Sequence, residues 1–358
     1  MSKEENENND FGGRFLQILN DGMLCLMTSV GHKTGLFDAM ARLSPSTSIE
    51  IAKAAKLNER YVREWLGAMV TGRIIDYEPS TGRYSLPAAH ASCLTRDAGI
   101  DNLAMFTQYI ALMGNVEDDI VKCFKKGGGV PYSAFPKFQE IQAEETARVF
   151  DARLVGDILP LAQGLTGRLK SGIDVLDVGC GTGHAINLMA KAFPKSRFWG
   201  YDISREGIGA ARAEAKKMKL KNAKFKIVDA SKIGDREKFD LVTAFDTIHD
   251  QARPAKVLKC IHRALRKGGT FLMQDIAASS RLHENMENPL APSLYTISTM
   301  HCMTVSLAYG GEGLGTVWGE QKAKEKLAEA GFESIDVRQV EGDILNYYYV
   351  TTKMSKDL

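Results

Sequence analysis

Val175-Leu176-Asp177-Val178-Gly179-Cys180-Gly181-Thr182-Gly183 decides how this chain folds. It reads as an apolar strand running into three alternating glycines. Ala185–Phe193 then carries helical spacing, with Ile186, Met189 and Ala190 on one face. Glycine permits a tight turn, and the free N–H groups at a helix start can hold an anionic group, so such a junction suits close backbone approach to a ligand. A nicotinamide or flavin fingerprint requires G-x-G-x-x-G. Counted from Gly179, its third glycine should stand at position 184, which is His184. That register fails, and the pattern is D-x-G-x-G-x-G, with Asp177 two residues before Gly179.

Outward from this stretch, strands and helices alternate, which is the pattern of a parallel sheet covered on both faces. Strands are predicted over Ile173–Val178, Arg197–Ile203, Ala223–Val228, Phe239–Phe245 and Thr270–Gln274, the last after a Lys267-Gly268-Gly269 turn. Ligands of such sheets bind outside the carboxyl ends of the strands. Asp177, Asp202, Asp229, Asp246 and Asp275 all fall at or just before those ends. A single Asp there often only caps the following helix, but five on one edge point to a ligand. Gln321–Ala330 is amphipathic and ends at Gly331, and Phe332–Val340 with Leu345–Thr352 form a closing strand pair.

Toward the N-terminus, Phe15, Leu16, Ile18, Leu19, Met23, Leu24, Leu26, Met27 and Val30 make a helix that is apolar nearly all round. Such a helix is buried in its own domain or in a partner subunit. Helices over Ser48–Lys56 and Asn58–Gly72 follow, then short strands over Arg73–Tyr77 and Arg83–Leu86. That is the order of a winged helix-turn-helix. Residues 1–100 hold 11 Lys/Arg against 12 Asp/Glu. Affinity for nucleic acid depends on neutralising phosphates, and this stretch has no positive surplus, so no nucleic-acid partner is expected.

The chain of 358 residues is long enough for two cores, and its net charge of +2 pulls it toward neither nucleic acid nor an anionic membrane. Cysteines 25, 93, 123, 180, 260 and 302 form no C-x-x-C pair, which suits reduced thiols in a cytoplasm. The first ten residues are acidic and Asn-rich and read as a disordered tail without signal-peptide features. No apolar run reaches membrane-spanning length. The expected organisation is a tail over 1–10, a winged-helix-like dimerisation domain over 11–96, a helical connector over 97–170 and a catalytic domain over 171–358, in which 277–318 covers the active site.

The glycine turn resembles motif I of the class I S-adenosylmethionine (SAM) methyltransferases. Phe245-Asp246-Thr247-Ile248-His249-Asp250 is similar to the L-H-D-W segment of small-molecule O-methyltransferases of the caffeic acid and hydroxyindole type. Those enzymes also carry an N-terminal winged-helix dimerisation domain, so the resemblance covers most of the chain. Gly31-His32-Lys33-Thr34-Gly35-Leu36-Phe37 and the 277–318 insertion look closest to a subgroup found in mycobacteria and nematodes, some members of which are linked to small-thiol methylation.

The resemblance implies an α/β fold, a Rossmann-like seven-stranded sheet with an α-helical winged-helix domain ahead of it. It implies SAM as cofactor, a small-molecule acceptor methylated at oxygen or sulfur, and a homodimer. Gly179, Gly181 and Gly183, with Asp177, would lie at the methionyl end, Asp202 at the ribose and Asp229 at the adenine; Ile203, Ala230 and Phe245 complete the cofactor set. His249 would be the general base with Asp275 beside it, against the plainer reading that His249 caps a helix. Asp250, His283, Tyr295, His301 and Trp318 are the candidate substrate contacts. The match has departures. Gln251 stands where tryptophan is usual, and Gly310-Gly311-Glu312-Gly313-Leu314-Gly315-Thr316 replaces the segment that supplies a second acid, leaving Glu312 as a loose substitute. No metal is expected, because no ligand spacing repeats. A SAM-sensing winged-helix regulator is the non-enzymatic alternative.

Overall fold

The computed structural model describes residues 3–354, and side chains from residue 10 onward. Met1 and Ser2 of the expected tail therefore lie outside the described residues, and the first helix runs from Lys3 to Thr34. The chain divides into two compact units, residues 1–114 and 115–358, a boundary inside the stretch read as a connector.

In the first unit, Leu36–Ala41, Ser48–Ala55 and Glu59–Thr71 follow the long helix. Thr47 and Glu50 form a reciprocal capping box at the start of Ser48–Ala55, and the Asn58 side chain accepts the Arg60 N–H at the start of the next helix. Strands β1 (Asp76–Glu78) and β2 (Arg83–Ser85) form the wing. The first is shorter than predicted, because the backbone after Gly72 turns through Arg73 at φ +58° before it can extend. Phe37, Ile51, Val62, Trp65, Leu66 and Met69 fill this unit's core. The long helix behaves otherwise. Phe15, Leu16, Ile18, Leu19, Met23 and Val30 are exposed, so the burial expected of them is not supplied by the described residues.

The second unit is built on seven strands: β3 (Asp174–Val178), β4 (Arg197–Asp202), β5 (Ala223–Ile227), β6 (Phe239–Phe245), β7 (Leu265–Ile276), β8 (Ile335–Arg338) and β9 (Asn346–Thr352). Their order is β5-β4-β3-β6-β7-β9-β8, with the first five strands parallel and β9 antiparallel to both β7 and β8. Every residue of β3 is buried, as a central strand covered on both faces requires. One face packs on Leu154, Ile158, Leu169, Ile186, Met189 and Ile208, the other on Val257, Leu258, Ile261, Ala323 and Leu327. The predicted Lys267-Gly268-Gly269 turn lies instead within β7, where Leu265 pairs with Phe239 and the register shifts before Leu241 pairs with Thr270. The start of β3 is pinned by ions: Asp174 takes Arg197 at 2.6 Å and Arg266 at 2.8 Å. The carboxyl ends are left for chemistry.

Candidate active site

The glycine turn leaves β3 as predicted. Gly179 N–H donates to the Tyr201 carbonyl at 2.8 Å, and Gly181 N–H donates to Asp202 Oδ2 at 2.8 Å. Gly181 sits at φ +51°, and a Cβ built there meets nothing within 4 Å. Its backbone therefore faces open space. Gly183, at φ +73°, is glycine for a different reason: a Cβ would come within 2.5 Å of Ala211 Cβ and 2.6 Å of the Phe225 ring. One glycine keeps a surface free, and the other keeps a helix close to the sheet.

Asp202 ends β4 with Oδ1 accepting the Ser204 N–H at 2.7 Å and Oδ2 accepting Gly181. Burial raises its pKa despite these bonds. Each carboxylate oxygen retains a further lone pair for a hydroxyl. Ile203 beside it is exposed. Asp177 lies deeper, 3% exposed, accepting the Thr243 hydroxyl at 2.7 Å, and burial pushes its pKa up to about 7. Asp229 accepts the Ser231 N–H at 2.9 Å and hydroxyl at 2.7 Å and pairs with Lys232. That is the capping role weighed against adenine binding, with Ala230 opening the capped turn. Phe245 packs against Phe150, ring centroids 4.9 Å apart.

After β6 the chain turns sharply through Asp246 at φ +48°, whose Oδ2 accepts Gln274 at 2.7 Å. Burial, and then the Asp275 charge, raise the Asp246 pKa well above the carboxylate range. Beyond the turn, His249 is 4% exposed, with Nδ1 2.8 Å from Asp275 Oδ1 on β7 and Nε2 3.2 Å from Asp250 Oδ1. Burial works against a charged imidazole, but the Asp275 and Asp250 carboxylates outweigh it, and the His249 pKa lies well above the ordinary value. Burial would raise the Asp250 pKa too, yet the neighbouring imidazolium pulls it to about 2.

The segment between β7 and β8 brings further groups here. Trp318 donates its indole N–H to Asp275 Oδ1 at 3.0 Å. His301 is fully buried, stacked on Phe138 at 3.7 Å and edge-on to Phe135 and Tyr132. Among the described residues neither of its ring nitrogens has a hydrogen-bond partner, and burial lowers its pKa to about 4, so the ring is neutral. Tyr295 receives a hydrogen bond from Asn285 at 3.1 Å and is 36% exposed. The His283 side chain is 74% exposed, 3.8 Å from Glu284, and does not join the cluster. Glu312 does not flank His249 either: it pairs with Lys326 at 2.5 Å. The second acid on the histidine is Asp250, its sequence neighbour. Cys302 also arrives at His249, which spacing along the chain could not signal because 53 residues separate them.

Comparison with known proteins agrees with this architecture. Residues 22–96 match the Rv2258c-like winged HTH domain, and residues 169–331 match a methyltransferase domain. The (S)-coclaurine N-methyltransferase of Papaver somniferum is 28% identical over 109 residues, 30% of this chain and 31% of that one. The chain spans about a third to a half of the length of the curated relatives it matches. Human N-acetylserotonin methyltransferase, solved in complex with SAM, has a TM-score of 0.70 at 16% identity, covering 99% of both chains. Mitomycin 7-O-methyltransferase has a TM-score of 0.73 at 15% identity, covering 97% of this chain and 99% of that one. At such identities the likeness establishes the fold. The chain thus joins a Rv2258c-like winged helix-turn-helix domain, over residues 22–96, to a methyltransferase domain over residues 169–331.

Proposed function

We propose that the protein is a SAM-dependent methyltransferase that moves a methyl group to an oxygen or sulfur of a small molecule. The observation that carries the reading is the buried His249–Asp275 pair, 2.8 Å apart, at the carboxyl ends of β6 and β7 beside the glycine turn. A SAM-sensing regulator needs the turn but has no use for such a pair.

The residues present fit the cofactor. The Gly181 backbone faces open space for the methionyl end, Asp202 has lone pairs left for ribose hydroxyls, and exposed Ile203 offers an apolar edge. Asp229, Ala230 and Phe245 are proposed for the adenine side, and Asp177 for the support of the turn. The cofactor supplies an already activated methyl on a sulfonium. The chain therefore has only to align the acceptor and remove its proton. Asp275 holds the His249 Nδ1–H, which leaves Nε2 as the atom that accepts the proton. Asp250 steadies the resulting imidazolium, and Trp318 fixes Asp275. His301 and Tyr295 are proposed as acceptor contacts.

A base with a raised pKa is matched to weakly acidic acceptors. Thiols, with a free pKa of about 8.5, and phenols, at about 10, fall in that range, and aliphatic alcohols do not. The same charge favours a thiol reading in particular: an imidazolium beside an acceptor sulfur stabilises the thiolate.

Calorimetric titration with SAM, S-adenosylhomocysteine and NAD tests the cofactor. Micromolar binding of the two adenosyl compounds, lost in Asp202→Ala, is expected; NAD binding without SAM binding sinks the reading. Turnover of thiol and phenol panels by His249→Ala then separates acceptors that need the base from those that do not. The exposed apolar residues of the Lys3–Thr34 helix support a homodimer in which a second copy covers them. Among the described residues no helix is long and apolar enough to cross a membrane, in keeping with a cytoplasmic site of action.

A further inference from the structure

His249 Nε2 faces Asp250, and a thiol that proton transfer does not require stands with them. Asp250 Oδ1 stands 3.2 Å from it, and Cys302 Sγ completes a set in which the ligating nitrogen, oxygen and sulfur all lie within 4.8 Å of one another. His249 and Cys302 are 4% and 5% exposed. Asp250 Oδ1 is buried and has the imidazole Nε2, 3.2 Å away, as its ion-pair partner. A buried carboxylate must be compensated by positive charge, which the imidazolium supplies and a metal ion in its place would supply as well.

We propose that His249, Asp250 and Cys302 form a binding site for a thiophilic divalent cation, zinc fitting best, and that its occupation withholds His249 from proton transfer. Imidazole, thiolate and carboxylate are the donors zinc takes. With Cys302 and Asp250 ionised and His249 neutral, the protein contributes two negative charges, which balance the cation. Binding releases the Cys302 proton and any proton held on His249 Nε2. Asp275 supplies the outer shell: its carboxylate holds Nδ1–H and so presents Nε2, the arrangement by which metal-binding histidines are oriented. Three protein ligands leave a fourth position open. Bond lengths of about 2.0–2.3 Å place tetrahedral ligand atoms roughly 3.3–3.8 Å apart. The set must therefore contract by about 1 Å at its widest, within reach of side-chain rotation. Asp250, whose side chain is 23% exposed, gives the path of entry.

The cation site stands independently of the methyl-transfer reading, whereas its inhibitory effect rests on it. The test uses the full-length protein stripped with a chelator and titrated with Co²⁺ as a spectroscopic stand-in. One Co²⁺ per chain is expected, with a thiolate charge-transfer band and the intense visible bands of a four-coordinate ion, displaced by one equivalent of Zn²⁺. Cys302→Ser and Cys302→Ala should lose the band, Asp250→Asn should weaken binding about 10-fold or more, and Cys93→Ser should leave it intact. Circular dichroism separates loss of ligand from loss of fold. No stoichiometric band in the parent protein, or its survival in both folded Cys302 variants, overturns the site. In the second arm, equimolar Zn²⁺ should reduce methyl transfer at least 10-fold, reversibly on chelation, while the residual activity of Cys302→Ser resists it. Full activity with the site occupied overturns the inhibitory role. A metal-free protein that binds Co²⁺ but transfers no methyl group to any acceptor counts against the methyltransferase reading alone.

Discussion

Asp275 Oδ1 holds two side-chain donors at once, His249 Nδ1 at 2.8 Å and Trp318 Nε1 at 3.0 Å, with the Ile276 N–H as a third donor at 2.9 Å. One carboxylate oxygen from β7 thus orients the imidazole that follows β6 and is itself fixed by an indole from the far end of the 277–318 segment. Asp275→Asn removes the charge and leaves the packing. It should lower kcat about 10²-fold or more for acceptors that must lose a proton, with little change in SAM affinity. Trp318→Phe removes one donor and should cost less, about 10-fold. Equal losses of SAM binding and of kcat in Asp275→Asn would mean that the pair is scaffolding.

The sign of the pH dependence follows from the raised His249 pKa. The base must be neutral to accept a proton, and its two carboxylate neighbours favour the cation. The neutral form is therefore reached at higher pH than in a free imidazole, and kcat/KM should climb with pH to a plateau reached only above the ordinary imidazole range. Asp250→Asn removes one of the charges, so the rise should move to lower pH. The profile is to be taken in chelator, with an acceptor whose own pKa lies outside the window. A flat profile, or one moving alkaline in Asp250→Asn, contradicts the base assignment.

Gly181 and Gly183 should fail differently when changed to alanine. Gly181→Ala meets no clash but holds a positive φ, a strain of about 1 kcal/mol or more, on the surface proposed for the cofactor. It should weaken SAM binding about 10-fold, with a small change in Tm. Gly183→Ala drives a methyl into Ala211 and Phe225, and overpacking of this kind costs about 1–3 kcal/mol. It should lower Tm by several degrees whether or not SAM is present. Calorimetry on both variants separates the two roles.

The parts legible from sequence were those encoded within a few residues. The glycine register, the strand ends at Asp202 and Asp229, and the His249-Asp250 segment all carry their meaning locally. The closing pair β8/β9 is legible as well, because two apolar runs separated by a short loop leave few other pairings. What escaped depends on the path of the long segment between β7 and β8. Nothing in spacing announces that Trp318 reaches Asp275 or that Cys302 reaches His249, because those meetings are made by the packing of distant elements. Glu312 shows the converse, since a suggestive loop position is taken by Lys326. The start of β1 escaped because the positive φ falls on an arginine rather than on a glycine.

His301 invites a stability test. Its two unpartnered ring nitrogens cost about 1–3 kcal/mol each, against about 0.5–1.5 kcal/mol recovered from each aromatic contact. The ring is neutral, so no charge offsets the difference. His301→Leu, of similar size, should therefore leave stability unchanged or raise it, with a gain of about 2–4 °C in Tm for each kcal/mol. If the imidazole is kept for the acceptor, the same variant should raise the acceptor KM while SAM binding stays constant. A clear loss of stability would show that the nitrogens are already satisfied.

The long N-terminal helix carries the last expectation. Phe15, Leu16, Ile18, Leu19 and Met23 are 49%, 60%, 50%, 51% and 65% exposed, a contiguous apolar surface of the kind that marks an interaction site rather than scattered exposure. A second copy of the chain is the occupant that needs no further component, because two such helices related by a twofold axis can cover one another. Sedimentation of the full-length protein at micromolar concentration should show a dimer. Leu16→Glu combined with Leu19→Glu would bury two charges in each half of that interface, which is unfavourable without partners. The double variant should sediment as a monomer while keeping its helical content, since neither residue belongs to the core of its own unit. A wild-type monomer, or a dimer indifferent to both charges, would leave the helix without its proposed cover.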